Sequence, residues 1–254
     1  MNLVDLKRYF LLSHLTYKSK YSDSFIGVFW IPISSLFLIA ILTLIFSPGP
    51  ELNLMSYAAY ITVGYLTWGF VSESLNGHCD VFRAKRTDLN SPGVLVFEVF
   101  LKALVERLYV FLLNLVCMSF LFIGEIIWEP IRALAFVVGF IALLVSSYLV
   151  TYVFSVICLF FPDFKRLIAN LTRILFFSSP IFWGYGTELK GMRELFYTYN
   201  PISYFLEIIR YGLGVDINME LQQALSVLLL IVVGLSITSF LISKLTPPYL
   251  KNIQ

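Results

Sequence analysis

The chain has 254 residues, 59% of them hydrophobic and 13% charged, where a soluble domain carries about a quarter charged residues. With a mean hydropathy of +0.83, this balance describes an integral membrane protein and excludes a soluble enzyme, a secreted disulfide scaffold and a disordered tail. A net charge of +2 gives no basic field for nucleic acid, and three scattered cysteines (Cys79, Cys117 and Cys158) do not make a disulfide framework.

Residues 2–21 are too polar to span. Leu3, Leu6, Phe10, Ser13 and Tyr17 nevertheless recur at helical spacing, and Leu11, Leu12 and Leu15 widen that face, while Asp5, Arg8, Lys18 and Lys20 sit largely elsewhere. The pattern predicts an amphipathic helix within 1–24 that lies in the cytoplasmic membrane interface. A spanning helix needs about 20 mostly apolar residues, and six segments are read as spans, giving an all-α membrane domain over 25–246. Span one covers 25–46 and stops at Ser47-Pro48-Gly49-Pro50; span two covers 57–75. Span three covers 94–123, with Ser91 as cap and Pro92 as a tolerated first helical residue. Span four runs from Glu129-Pro130 to Phe161, span five lies within 167–183, and span six covers 221–242, closed by Lys244 and Pro247-Pro248.

Two stretches depart from a plain bundle. Span three would be roughly 45 Å long at 1.5 Å per residue, against about 30 Å of hydrocarbon. Its first turns carry Glu98, Lys102 and Glu106 on one face, so its cytoplasmic end must tilt, bend or project. Span five is interrupted by Arg173, and the remainder, 174–187, has the length of a re-entrant or short span. Beyond it, 184–220 reads as an outer-side helical hairpin. Asn200 is its cap, Pro201 its first helical residue, and Glu207 and Arg210 are spaced as an i, i+3 pair.

Most of the 18 lysines and arginines fall on one side. They are Lys7, Arg8, Lys18 and Lys20 before span one, Arg83, Lys85, Arg86, Lys102 and Arg107 around the start of span three, Lys165, Arg166 and Arg173 after span four, and Lys244 and Lys251 in the tail. Arg132, Lys190, Arg193 and Arg210 fall on the other. The positive-inside rule then puts both termini in the cytoplasm. The first apolar run starts late, is long enough to span and lacks a small-residue cleavage site, so it is read as a span and not as a signal peptide.

Chemistry-bearing motifs are missing. The sequence contains no G-x-x-x-x-G-K-[ST] phosphate loop, no H-E-x-x-H, no C-x-x-C and no G-x-S-x-G. His78-Cys79-Asp80 are consecutive, a spacing that seldom lets three ligands converge on one metal, and the Asn170-Leu171-Thr172 sequon falls on the cytoplasmic side. No catalytic residue, metal site or cofactor is expected in the chain itself. A conduit fits better than a catalyst.

Five motifs, in order, resemble the permease subunits of type-two ABC exporters of lipid-linked polysaccharide, the family that serves O-antigen, capsule and teichoic-acid export. Tyr17-Lys18-Ser19-Lys20-Tyr21 and Ser24-Phe25-Ile26-Gly27-Val28-Phe29-Trp30-Ile31-Pro32 are similar to the family's basic stretch and LG-x-x-W start of span one. Tyr65-Leu66-Thr67-Trp68-Gly69-Phe70 resembles the aromatic end of span two, and Phe161-Pro162-Asp163-Phe164 the turn after span four, with Pro162 where an arginine is usual. Phe176-Phe177-Ser178-Ser179-Pro180-Ile181-Phe182 and Asn200-Pro201-Ile202 through Glu207 and Arg210 resemble the two outer-side motifs. Many members have Phe-Pro where this chain has Ser91-Pro92.

The resemblance implies a bacterial inner-membrane homodimer joined by two copies of a separate ATPase chain, which would hold the ATP and Mg. The cytoplasmic coupling segment would be 76–92, with Arg83, Lys85, Arg86 and Asp88 as contacts. The positive-inside bias accounts for the same basic residues. Asn200, Pro201, Glu207 and Arg210 would form an outer gate. Arg173 either faces the translocation pathway, meeting the phosphate of a lipid carrier, or snorkels to cytoplasmic headgroups. Tyr57, Tyr60, Tyr65 and Trp68 fall within an arc of about 140° on a helix. With Trp30, Trp183 and Tyr185 they are candidates to line a glycan pathway or to serve as interfacial and packing aromatics. The expected cargo is an O-antigen-type polysaccharide on a polyprenyl diphosphate. Alternatives are a capsule or teichoic-acid permease, a drug or amphiphile permease, a membrane-embedded polyprenyl-lipid transferase and a scaffold subunit.

Overall fold

The computed structural model describes residues 3–47, 49, 53–77, 96–123, 129–186, 189–215 and 217–245. These residues are helical and contain no strand. In chain order the helices are α1 (Leu3–Lys20), α2 (Trp30–Phe46), α3 (Leu54–Asn76), α4 (Val96–Cys117), α5 (Pro130–Phe160), α6 (Phe164–Ser178), α7 (Met192–Tyr199), α8 (Pro201–Gly212) and α9 (Leu221–Leu245). Arg83, Lys85, Arg86 and Asp88 of the expected coupling segment lie outside the described residues, as do His78-Cys79-Asp80, Ser91-Pro92 and Pro247-Pro248.

Helix α3 is the hub, packed against α2, α4, α5, α6 and α8. Its middle, from Ala59 to Gly64, is buried throughout. A helix enclosed in this way has no lipid-facing surface to fill with leucine and can carry hydroxyls. Thr62 Oγ1 donates to the Ala58 carbonyl at 2.7 Å and Ser74 Oγ to that of Phe70 at 2.6 Å. Among the described residues three helices are long and apolar enough to cross a membrane: Gly27–Phe46, Pro130–Phe160 and Leu221–Lys244. These lie at the periphery and expose apolar rows, Leu44 and Ile45 on α2, Leu134 and Ile141 on α5, and Leu229 and Leu230 on α9. Apolar surface of this extent is what a bilayer covers.

Local sequence sets the helix ends. Glu129 is the extended N-cap of α5, with Pro130 in the first turn. At its other end Phe161 leaves helical geometry (φ −125°, ψ 85°), as expected for a residue preceding proline. Helix α6 then begins at Phe164 and ends at Ser178. Its 15 residues span about 22 Å, short of a hydrocarbon layer of about 30 Å. Trp183, read as the end of span five, therefore lies beyond the helix in an irregular 179–186 turn.

Two expectations are corrected. The third helix does not continue to residue 123: α4 stops at Cys117, Met118 turns out of helical geometry (φ −101°, ψ 3°), and a 3₁₀ turn over Ser119–Phe122 follows. This turn buries Leu121 and Phe122 against the hub, which a continued helix would have carried past it. Second, the cysteines are not all unpaired. Cys158 in α5 is disulfide-bonded, whereas Cys117 is free. In the stretch after α6, residues 202–210 of α8 are buried between α5, α9 and α3.

Helix α1 splits its apolar face. Ser13 is buried, and Phe10 and Tyr17 meet the Tyr109 ring of α4 at 5.4 and 5.6 Å between centroids. The Tyr109 hydroxyl lies 2.9 Å from His14 Nδ1. Leu11 and Leu15 stay exposed, and the side chains of Leu3 and Leu6 lie outside the described residues.

Close approach of α8 to α5 depends on two glycines. A Cβ on Gly212 would lie 2.6 Å from Phe136 Cα and 2.7 Å from its nitrogen, whereas one on Gly139 would press on a side chain, that of Ile208, at 2.6 Å. Backbone cannot step aside as a side chain can. Gly212→Ala is therefore expected to destabilise the detergent-solubilised protein by about 1–3 kcal/mol and Gly139→Ala by less, read as the fall in thermal unfolding midpoint. An equal fall would remove the argument.

Candidate functional site

The densest polar constellation holds the 179–186 turn against α3 and α8. Asn200 starts it: its Oδ1 accepts from the Ile202 N–H at 3.0 Å, capping α8, and its Nδ2 donates to Ser179 Oγ at 2.8 Å. Farther along α8 stand Glu207 and Arg210, both without exposed side-chain surface, with Nη1 donating to Oε1 at 3.2 Å. Arg210 Nη2 donates to the Ile181 carbonyl at 3.2 Å, and the guanidinium carbon lies 3.4 Å from the centroid of the Tyr60 ring. Glu207 uses its other oxygen to accept from the Asn218 N–H at 2.9 Å, and Asn218 Nδ2 donates to the Gly184 carbonyl at 2.9 Å. Burial and the nearby Glu207 carboxylate also raise the pKa of the Tyr197 hydroxyl.

Two tyrosines of α3 complete the support. The Tyr57 hydroxyl donates to the Phe182 carbonyl at 2.6 Å, with that of Phe46 2.9 Å away. The Tyr60 hydroxyl donates to the Trp183 carbonyl at 2.9 Å. Both rings meet the Tyr185 ring at a tilt, with centroids 5.7 and 5.0 Å apart. Gly64 admits the turn, since a Cβ there would lie 2.7 Å from the Ile181 carbonyl oxygen and 2.8 Å from Arg210 Nη2.

The expected pathway aromatics thus divide. Tyr57, Tyr60 and Trp68 are buried, Trp183 and Tyr185 are partly exposed on the turn, and Tyr65 lies on another side of α3, lining a cavity with α1, α2 and α4. Trp30 is exposed, and its Nε1 donates to Ser24 Oγ at 2.7 Å across the α1–α2 junction. Arg173 is exposed on α6. The structure brings it together with Trp68 in an open groove of about 410 Å³ between α3 and α6. Asn76 closes one end of this groove, donating to Thr172 Oγ1 at 2.9 Å. Of the outer-gate residues, Asn200, Glu207 and Arg210 belong to the buried constellation and Pro201 is exposed at its edge.

Sequence reasoning missed Arg107 and Asn114, which are 3% and 5% exposed on α4. Both fall on the i, i+4, i+7 stripe of Val99, Ala103, Phe111 and Met118, all buried. That spacing would have marked them as inward-facing.

The described residues are those of a helical membrane protein with a buried polar frame beneath the 179–186 turn. Over 186 residues, 73% of this chain and 72% of the relative, it is 24% identical to the O-antigen export system permease protein RfbA of Myxococcus xanthus. This likeness supports the export-permease family of ABC transporters indicated by the five motifs. No family model matches the chain.

Breaking a buried ion pair on one side leaves an unanswered charge and costs about 3–5 kcal/mol. Glu207→Leu and Arg210→Met are each expected to destabilise the solubilised protein on that scale. The double variant should fall short of the sum of the two, because neither charge is then stranded. Thermal unfolding of the four proteins tests this, and strict additivity would show that the pair acts as two independent groups.

Proposed function

We propose that the chain is the membrane subunit of an ATP-driven exporter that moves lipid-linked polysaccharide, of O-antigen type on a polyprenyl diphosphate, across a bacterial inner membrane. It acts as a homodimer with two copies of a nucleotide-binding subunit, with α2, α3, α4, α5, α6 and α9 crossing the bilayer and both termini in the cytoplasm. The observation that carries this reading is the groove between α3 and α6, where exposed Arg173 stands beside Trp68, in a chain similar to an export permease. A guanidinium offers paired donors to a carrier phosphate. Aromatic faces let successive sugars pass without a fixed hydrogen-bond register.

On this reading Trp30, Trp183 and Tyr185 contribute exposed ring surface to the path, Tyr57, Tyr60 and Trp68 form its packed wall, and Tyr65 lies on another side of α3, away from the α3–α6 groove. Asn200, Pro201, Glu207 and Arg210 frame the outer gate, so that the 179–186 turn moves with α8 as one body. Motion from the ATPase enters through 76–92, with Arg83, Lys85, Arg86 and Asp88, and through α1.

Affinity purification of the tagged chain from its native membrane is expected to bring down a stoichiometric partner carrying a Walker phosphate loop. Arg173→Gln should lower glycan export by about tenfold or more at unchanged protein level, the scale of a lost charge-assisted hydrogen bond. Recovery of the chain alone, or with glycosyltransferases only, would remove the energy source and with it this function. Unchanged export in Arg173→Gln would take that residue out of the pathway.

A further inference from the structure

A second site lies on the opposite face of the hub, where α1, α2, α3 and α4 enclose a cavity of about 300 Å³. Arg107 is fixed at its inner wall. Its Nη1 donates to Thr151 Oγ1 at 2.6 Å, and Thr151 donates in turn to the Ser147 carbonyl at 2.7 Å. The remaining edge, Nε and Nη2, is buried without a hydrogen-bond partner among the described residues, while the Glu73 and Glu106 carboxylates face its charge. Along the same wall, Asn114 Nδ2 donates to the Val110 carbonyl at 2.9 Å while its Oδ1 accepts no hydrogen bond among the described residues. The cavity thus presents a fork of two parallel N–H donors and, farther in, a bare acceptor. Native interiors rarely leave such groups unanswered.

Charge narrows the ligand. Lys20 stands at this cavity with Arg107, which favours an anion, but Glu73 also lines it and disfavours a ligand that is only anionic. An oxyanion joined to a hydrogen-bonding cation satisfies all four groups, the anion on the Arg107 fork and Lys20, the cation on Glu73 and Asn114 Oδ1. Tyr17, whose hydroxyl is pushed up to about 12 by burial and by Glu73 and Glu106, adds a neutral donor. Ile31, Leu66 and Val110 supply apolar wall, and α1 beside them exposes Leu11 and Leu15, as suits a site reached from a lipid leaflet.

We propose that this cavity binds the headgroup of a phospholipid bearing a primary ammonium, its phosphate on Arg107 and Lys20 and its ammonium on Glu73 and Asn114. Such a lipid ties α1 to the first three helices of the membrane domain. The inference rests on the chain being a membrane protein and not on the exported cargo, so the loss of either reading leaves the other standing.

The test uses the purified full chain with the subunits it brings, stripped of lipid in detergent and titrated with phosphatidylethanolamine, phosphatidylcholine or phosphatidylglycerol while native mass spectrometry counts the adducts. One phosphatidylethanolamine per chain is expected, held about tenfold tighter than phosphatidylcholine, whose quaternary ammonium has no proton for Asn114, and tighter than phosphatidylglycerol, which lacks the cation. Arg107→Gln should abolish this binding, and Asn114→Leu should erase the preference while leaving the fold intact. If Arg107→Gln does not fold, Lys20→Gln at the mouth carries the anion arm and should weaken all three lipids. Equal binding of the three lipids by the unmodified chain, or an undiminished preference in Asn114→Leu, overturns the proposal. Displacement by millimolar inorganic phosphate would overturn it in favour of a free-phosphate site.

Discussion

A guanidinium with no exposed surface persists only where its charge and its N–H groups are answered together, and at Arg210 those answers come from three separate parts of the chain. Glu207 supplies the countercharge one helical turn away, the Ile181 carbonyl comes from the turn after α6, and the Tyr60 ring comes from the hub. Water cannot substitute for any of them at zero exposure, and a carbonyl or ring that drifted away would strand a charge in low dielectric. The 179–186 turn is therefore held by a requirement of electrostatics, and α8 cannot move relative to α3 without carrying that turn with it.

The rest of the architecture follows from keeping this frame dry. Helix α8 must be covered on every side, which brings α5 against it so closely that Gly212 and Gly139 admit no side chain without a shift. Helix α3 must present Tyr57, Tyr60 and Gly64 along one face, so the hub is less apolar than the helices around it. The apolar surplus is displaced outward to α2, α5 and α9, where lipid is the partner. A short α6 is consistent with the same arrangement: the chain needs to leave the helix at Ser178 to place its carbonyls over Arg210.

Much of this was legible in the sequence. Apolar length located α2, α5 and α9, Asn200-Pro201 located the start of α8, and the spacing of Glu207 and Arg210 gave their pairing. What stayed hidden depends on tertiary contact. The end of α4 at Cys117 carries no proline or glycine, because it is set by the burial of Leu121 and Phe122 against the hub. Tyr57 and Tyr60 look the same on a helical arc whether they face a pore or a turn; only the carbonyls of residues some 120 positions away decide between these. The hub itself, with its threonines and serines, gives the weaker hydropathy signal although it packs against five other helices.

Three arginines show where positional rules stop. By the positive-inside rule Arg107 and Arg173 are equivalent and Arg210 is an exception, but unfilled hydrogen-bonding capacity ranks them differently. Arg210 has an acid, two backbone carbonyls and an aromatic face, with only Nε left over, which makes it a structural cation. Arg173 is solvated and keeps its donors available at an open groove, so any partner it takes must compete with water. Arg107 lies between these cases: it is as buried as a structural arginine, yet a whole edge of it is unanswered. The Glu73 and Glu106 carboxylates face its charge, but a buried donor left without a hydrogen bond still costs about 1–3 kcal/mol, whereas an exposed one costs little. Arg107, more than either of the others, is therefore the arginine with buried hydrogen-bonding capacity left to offer a ligand among the described residues.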